Sequence, residues 1–116
     1  GLTEALKITH WAETHYIDLM PHNPLGPVNT AATAHLAMAT PNFAWLEMFQ
    51  RPEEIEQQHD ELYPGQFRAV GGNMQVPDKP GLGIDVDEDA IANSPLHPDD
   101  FLTTRLHRRD GSVTNW

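Results

Sequence analysis

The chain has 116 residues, ten prolines, eight glycines, no cysteine and 39% hydrophobic residues, with a formal net charge of −10. Seven Lys and Arg set against seventeen Asp and Glu argue against nucleic-acid backbone as a partner, and the lack of cysteine rules out disulfides and thiolate metal sites. No stretch approaches the roughly 18 apolar residues of a membrane span, Gly1 to Lys7 do not read as a cationic region followed by an apolar one, and a cysteine-free composition fits the cytoplasm.

The first element is a helix between Thr3 and Glu13. Leu2, Ala5, Leu6 and Ala12 recur close to helical spacing, with Ile8 and Trp11 flanking and Thr3 as a cap. Tyr16-Ile17-Asp18-Leu19-Met20 then reads as a short strand ending at His22. His22-Asn23-Pro24-Leu25-Gly26-Pro27 sets an ionisable side chain at that strand end, after which two prolines and a glycine make a rigid loop. Asn29 or Thr30 caps a small-faced helix through Ala39 that Pro41 ends, and Phe43-Ala44-Trp45-Leu46 reads as a second, buried strand ending at Glu47.

Strand, loop, helix and strand in that order form a βαβ unit, which implies a parallel pair. Parallel sheets are covered on both faces and hold more strands than two, so the chain reads as part of something larger. His22 and Glu47 both fall at carboxyl ends of strands, where α/β folds place their chemistry. An imidazole, with an ordinary pKa of about 6.5, suits a general base working near neutral pH.

Beyond Met48 the pattern changes. Pro52 to Glu61 is acidic and polar, and Gly65, Gly71-Gly72, Pro77, Pro80, Gly81 and Gly83 then punctuate short apolar pieces, Phe67 to Val70 and Met74 to Val76, as in an ordered meander or hairpin. Asp87 to Ala92 starts a short helix, and Leu96 to Trp116 carries apolar residues that need a surface. Several tempting motifs fail on spacing. A calcium loop opening at Asp85 needs glycine and glutamate where Ala90 and Leu96 stand, and Gly81-Leu82-Gly83 is too short for a dinucleotide loop. His10, His15, His35, His59, His97 and His107 contain no His-x-x-x-His pair, which argues against zinc, and His35 reads as a packing residue on its helix. The Arg105 to Arg109 cluster reads as ion-pair partners for an acidic protein.

Taken in order, Pro21-His22-Asn23-Pro24-Leu25-Gly26-Pro27 with Ala31-Ala32, Pro41-Asn42-Phe43, Leu46-Glu47, Pro80-Gly81-Leu82-Gly83, and Arg109-Asp110-Gly111-Ser112-Val113 with Trp116 make the chain resemble the C-terminal third of enolase-superfamily acid-sugar dehydratases, most of all their galactonate dehydratase-like branch. The resemblance implies an α/β fold: the last two strands and helices of a (β/α) barrel over residues 1–50, and over 51–116 a meander and tail returning to a capping domain. It implies Mg²⁺-dependent dehydration of a sugar acid to a 2-keto-3-deoxy acid in a homo-oligomer, with the Mg²⁺ ligands on earlier strands and none in this chain. By the same match His22 is the base, oriented by an aspartate from a strand before Gly1, and Glu47 lies near the substrate carboxylate or the developing enediolate. Trp116 is an anchor for the tail or a substrate contact. An epimerase, racemase or cycloisomerase of the same superfamily, or a piece with no catalysis of its own, are the alternatives.

Overall fold

A computed structural model describes residues 1–48, 60–94 and 106–114. Helix α1 spans Leu2–Thr14, strand β1 His22–Asn23, helix α2 Pro27–Met38 and strand β2 Glu47–Met48. A hairpin of β3 (Ala69–Val70) and β4 (Asn73–Met74) follows, then helix α3 (Glu88–Asn93), and a second hairpin of β5 (Leu106–His107) and β6 (Val113–Thr114). Strands β1 and β2 pair in parallel, His22 opposite Glu47 and Asn23 opposite Met48, so β1, α2 and β2 form the βαβ unit that the sequence implies.

The paired residues sit later than the sequence reading places them. Tyr16 adopts φ 56° and turns the chain out of α1, Leu19 forms a lone parallel bridge with Phe43, and the ladder resumes only at His22. Pro21 interrupts it because it has no N–H to donate, although its carbonyl accepts from Glu47 N at 3.2 Å. The pairing that opens at Leu19 and Phe43 thus runs one residue past His22 and Glu47, to Asn23 and Met48. Phe43 to Leu46 is also not a buried strand: Phe43, Ala44 and Leu46 are half-buried and Trp45 is 65% exposed, because among the described residues nothing covers that face.

The helix starts differ too. Gly1 is the N-cap of α1 and makes no side-chain bond, and Thr3 already lies inside the helix. In α2, extended Gly26 is the N-cap and Pro27 takes the first helical position, where its fixed φ fits and its missing N–H costs nothing. Asn29 and Thr30 lie in the first turn with their side chains turned to other partners. Asp87, in contrast, caps α3 with its carboxylate accepting from Ala90 N at 2.8 Å, close to the expected helix start.

The core sits between α2 and the meander. Ala31 and Ala34 on α2 are buried under Phe67, and Met74, Val76, Leu82 and Ile84 pack against that cluster. Small residues on the helix let the aromatic ring approach closely. His35 seals the contact by donating from Nε2 to the Leu82 carbonyl at 3.0 Å, with its ring tilted against Phe67, which makes it the packing residue the sequence suggests. Gly83 is required there: at φ 73°, an added Cβ would stand 3.0 Å from Pro77 Cγ and 3.5 Å from Phe67 Cζ. Among the described residues nothing covers Ile8 and Trp11 on α1, which are largely exposed. No helix among the described residues is long and apolar enough to cross a membrane.

Candidate active site

Parallel pairing brings His22 and Glu47 side by side. Their Cα atoms are register partners on adjacent strands, so both side chains leave the same face at the same height. His22 Nδ1 lies 2.7 Å from Glu47 Oε2. An ionised carboxylate only accepts, so Nδ1–H donates and, in the neutral imidazole, Nε2 is left as the proton acceptor. The arrangement is a basic nitrogen on an imidazole whose tautomer and ring plane are held by a carboxylate. Both side chains are more than half exposed, and with Asn23, Pro24 and Met48 they border a small cleft of about 50 Å³.

The structure thus joins two residues that the sequence treats separately. The resemblance assigns the orientation of His22 to an aspartate from an earlier strand and places Glu47 beside the substrate; within this chain, Glu47 itself holds Nδ1. Trp116 lies outside the described residues, as do Arg105, His59 and His97. Arg108 and Arg109 are exposed and make no ion pair among the described residues, so the expected neutralising role of that cluster is not seen there.

Asn23 is the polar residue that sequence reasoning missed. It follows His22 on β1, points to the opposite side and is 2% exposed. Its Nδ2 donates to Thr30 Oγ1 at 2.9 Å and its Oδ1 accepts from Asn29 Nδ2, which ties the strand end to the first turn of α2. Asn29 and Thr30 therefore serve this buried amide and not the helix N-terminus, a pairing that an asparagine before proline signals only as a turn former.

Among the described residues no three His, Asp or Glu side chains converge as a metal-binding group. One imidazole nitrogen and one carboxylate do not fit Mg²⁺, which takes six ligands, mostly oxygen, in near-octahedral geometry.

Known proteins resemble the chain over most of its length. Residues 1–90 match the family described as enolase C-terminal domain-like. A "D-galactonate dehydratase family member" of Streptomyces bingchenggensis is 36% identical over 118 residues, covering all of this chain and 27% of the relative. An enolase from Pantoea ananatis, crystallised with D-gluconate and Mg, superposes with a TM-score of 0.72 at 32% identity, covering 83% of this chain and 23% of that protein. A mandelate racemase/muconate lactonizing enzyme from Jannaschia sp. CCS1 superposes with a TM-score of 0.68 at 39% identity, covering 80% and 22%. The chain spans only about a quarter of the length of these relatives. With 1–90 of its 116 residues matched, the chain belongs to the enolase C-terminal domain-like family.

Proposed function

We propose that this chain is the base-bearing portion of a sugar-acid dehydratase that removes the proton α to the carboxylate of an aldonate and releases the β-hydroxyl as water, leaving a 2-keto-3-deoxy acid. The observation that carries the reading is the His22–Glu47 pair, 2.7 Å apart at adjoining ends of two parallel strands. His22 Nε2 takes the proton, and the Glu47 carboxylate on Nδ1 fixes the ring and steadies the imidazolium that forms. That stabilisation grows with the transferred charge, so it acts on the transition state more than on bound substrate. The similarity to a D-galactonate dehydratase family member and to an enolase holding D-gluconate supports a sugar acid as the substrate class.

In this reading residues 1–50 are the last strand-helix units of a (β/α) barrel in a homo-oligomeric cytoplasmic lyase, and residues 51–116 pack on the barrel and its capping domain. Trp116 serves as an anchor for the tail or as a substrate contact. Mg²⁺ is held by residues outside these 116. The similarity to a mandelate racemase/muconate lactonizing enzyme favours a second reading, in which the same base inverts the α-carbon or serves a cycloisomerase and no water is lost.

The test is to incubate the full-length protein and Mg²⁺ with a panel of aldonates and to follow 2-keto acid by semicarbazone absorbance and α-carbon configuration by NMR. Keto acid appearing from one or a few stereoisomers is the expected result. Inversion without loss of water would establish the second reading, and neither reaction with any acid would leave the chain as a non-catalytic piece.

A further inference from the structure

We propose that Asn23 is a positioning residue for His22: its buried carboxamide locks the end of β1 to the first turn of α2 and thereby sets where the imidazole stands relative to the substrate. The inference rests on His22 being the base. Successive strand residues point to opposite sides, so an Asn23 anchored inward obliges His22 to face outward, toward Glu47. The anchor is complete at both ends. Thr30 Oγ1 accepts from Nδ2, Oδ1 accepts from Asn29 Nδ2, and Thr30 Oγ1 reaches on to the Gly26 carbonyl at 3.4 Å. One buried side chain thus fastens the strand end, the loop glycine and the helix start, while Pro24 and Pro27 limit the backbone between them.

Nothing else described on this side fixes β1 to α2 through a side chain of the strand. Thr30 is 5% exposed and Asn29 half-buried, so removing Asn23 leaves polar atoms of both without their partner in a place that water reaches poorly. The loop then resettles to satisfy them, and His22 moves with it. A misplacement of about 1 Å at a reacting group is enough to cost roughly a hundredfold in rate.

The test uses the full-length protein and its aldonate substrate. Asn23→Ala is expected to lower kcat by about 10- to 100-fold with KM within about threefold of wild type. Thr30→Val, which keeps shape but removes the hydroxyl, is expected to do the same, and Thr30→Ser, which restores the acceptor, to return kcat to within about twofold. Nitrogen-15 spectra of the His22 ring should show a single Nδ1–H tautomer in wild type and Thr30→Ser, and a mixed or broadened ring signal in Thr30→Val. If Asn23→Ala fails to fold, Thr30→Val decides. Wild-type kcat in Thr30→Val, or a loss that tracks only the folded fraction with an unchanged His22 spectrum, would overturn the proposal while leaving the base assignment intact. Full activity in His22→Asn would overturn the base assignment itself, and the role of Asn23 with it.

Discussion

Replacing Glu47 by Gln keeps the shape of the side chain and removes its charge, so it separates what the His22 contact does for stability from what it does for reaction. At 2.7 Å a unit charge pair is worth about 1.5 kcal/mol in bulk water and about 6 kcal/mol at an effective dielectric of 20. The His22 and Glu47 side chains are 60% and 56% exposed, and exposed pairs measure only about 0.2–1 kcal/mol, so the lower figure bounds the effect on folding. With His22 as the proposed base, catalysis is affected more strongly, because the imidazolium forms only as the proton is taken. Glu47→Gln in the full-length protein should therefore shift the melting temperature by no more than a few degrees while lowering kcat by about 10- to 1,000-fold with little change in KM. Steady-state kinetics with a parallel thermal melt checks both. An unfolded or poorly expressed variant whose folded fraction turns over normally would show that Glu47 is a structural residue and would refute the reasoning.

Three further outcomes are expected. Gly83→Ala places a Cβ at φ 73° and 3.0 Å from Pro77 Cγ, so it should destabilise the meander by about 1–3 kcal/mol, read as faster amide exchange at Leu82 and Ile84; unchanged exchange would contradict that packing. The Asp110 carboxyl accepts from both the hydroxyl and the backbone N–H of Ser112, which hold its pKa below the ordinary aspartate range. Since the folded form is the more acidic, the turn between β5 and β6 gains from this contact above the ordinary aspartate pKa and loses it as pH falls through the lowered one; an NMR titration of Asp110 at or above the usual value would contradict this. The 116 residues expressed alone should melt broadly and bind Mg²⁺ weakly, because the buried apolar core of the described residues comes down to Ala31, Ala34, Leu36 and Phe67. A sharp calorimetric transition of a monomer would overturn that expectation.

What the sequence made legible is the punctuation. Pro21, the Pro24 to Pro27 loop and Pro41 bracket the βαβ unit, and that alone places His22 and Glu47 on neighbouring parallel strands. The exact rungs escaped because the apolar runs before each strand are more conspicuous than the paired residues, and because the gap that Pro21 leaves in the ladder depends on where Phe43 lands. The helix caps escape local reading for a related reason. Thr3, Asn29 and Thr30 are good cap formers in isolation, but Pro27 at the first helical position already fixes the start of α2, which frees Asn29 and Thr30 for Asn23. The burial of Ala31 and Ala34 under Phe67 joins residues more than thirty positions apart, and no local period carries that information. His35 reads as a packing residue from its helix alone, but its hydrogen bond to Leu82, 47 positions along the chain, depends on how the meander folds back and has no local signal.

The account stands or falls on His22 as the proton acceptor, and His22→Asn in the full-length protein tests it most directly. Asparagine keeps a polar side chain next to Glu47 but offers no nitrogen that can take a proton at neutral pH. Dehydration of the aldonate should fall by at least about 10²- to 10⁴-fold, the range expected for losing a general base, while Mg²⁺ affinity and the melting temperature stay close to wild type. Turnover within tenfold of wild type would contradict the assignment.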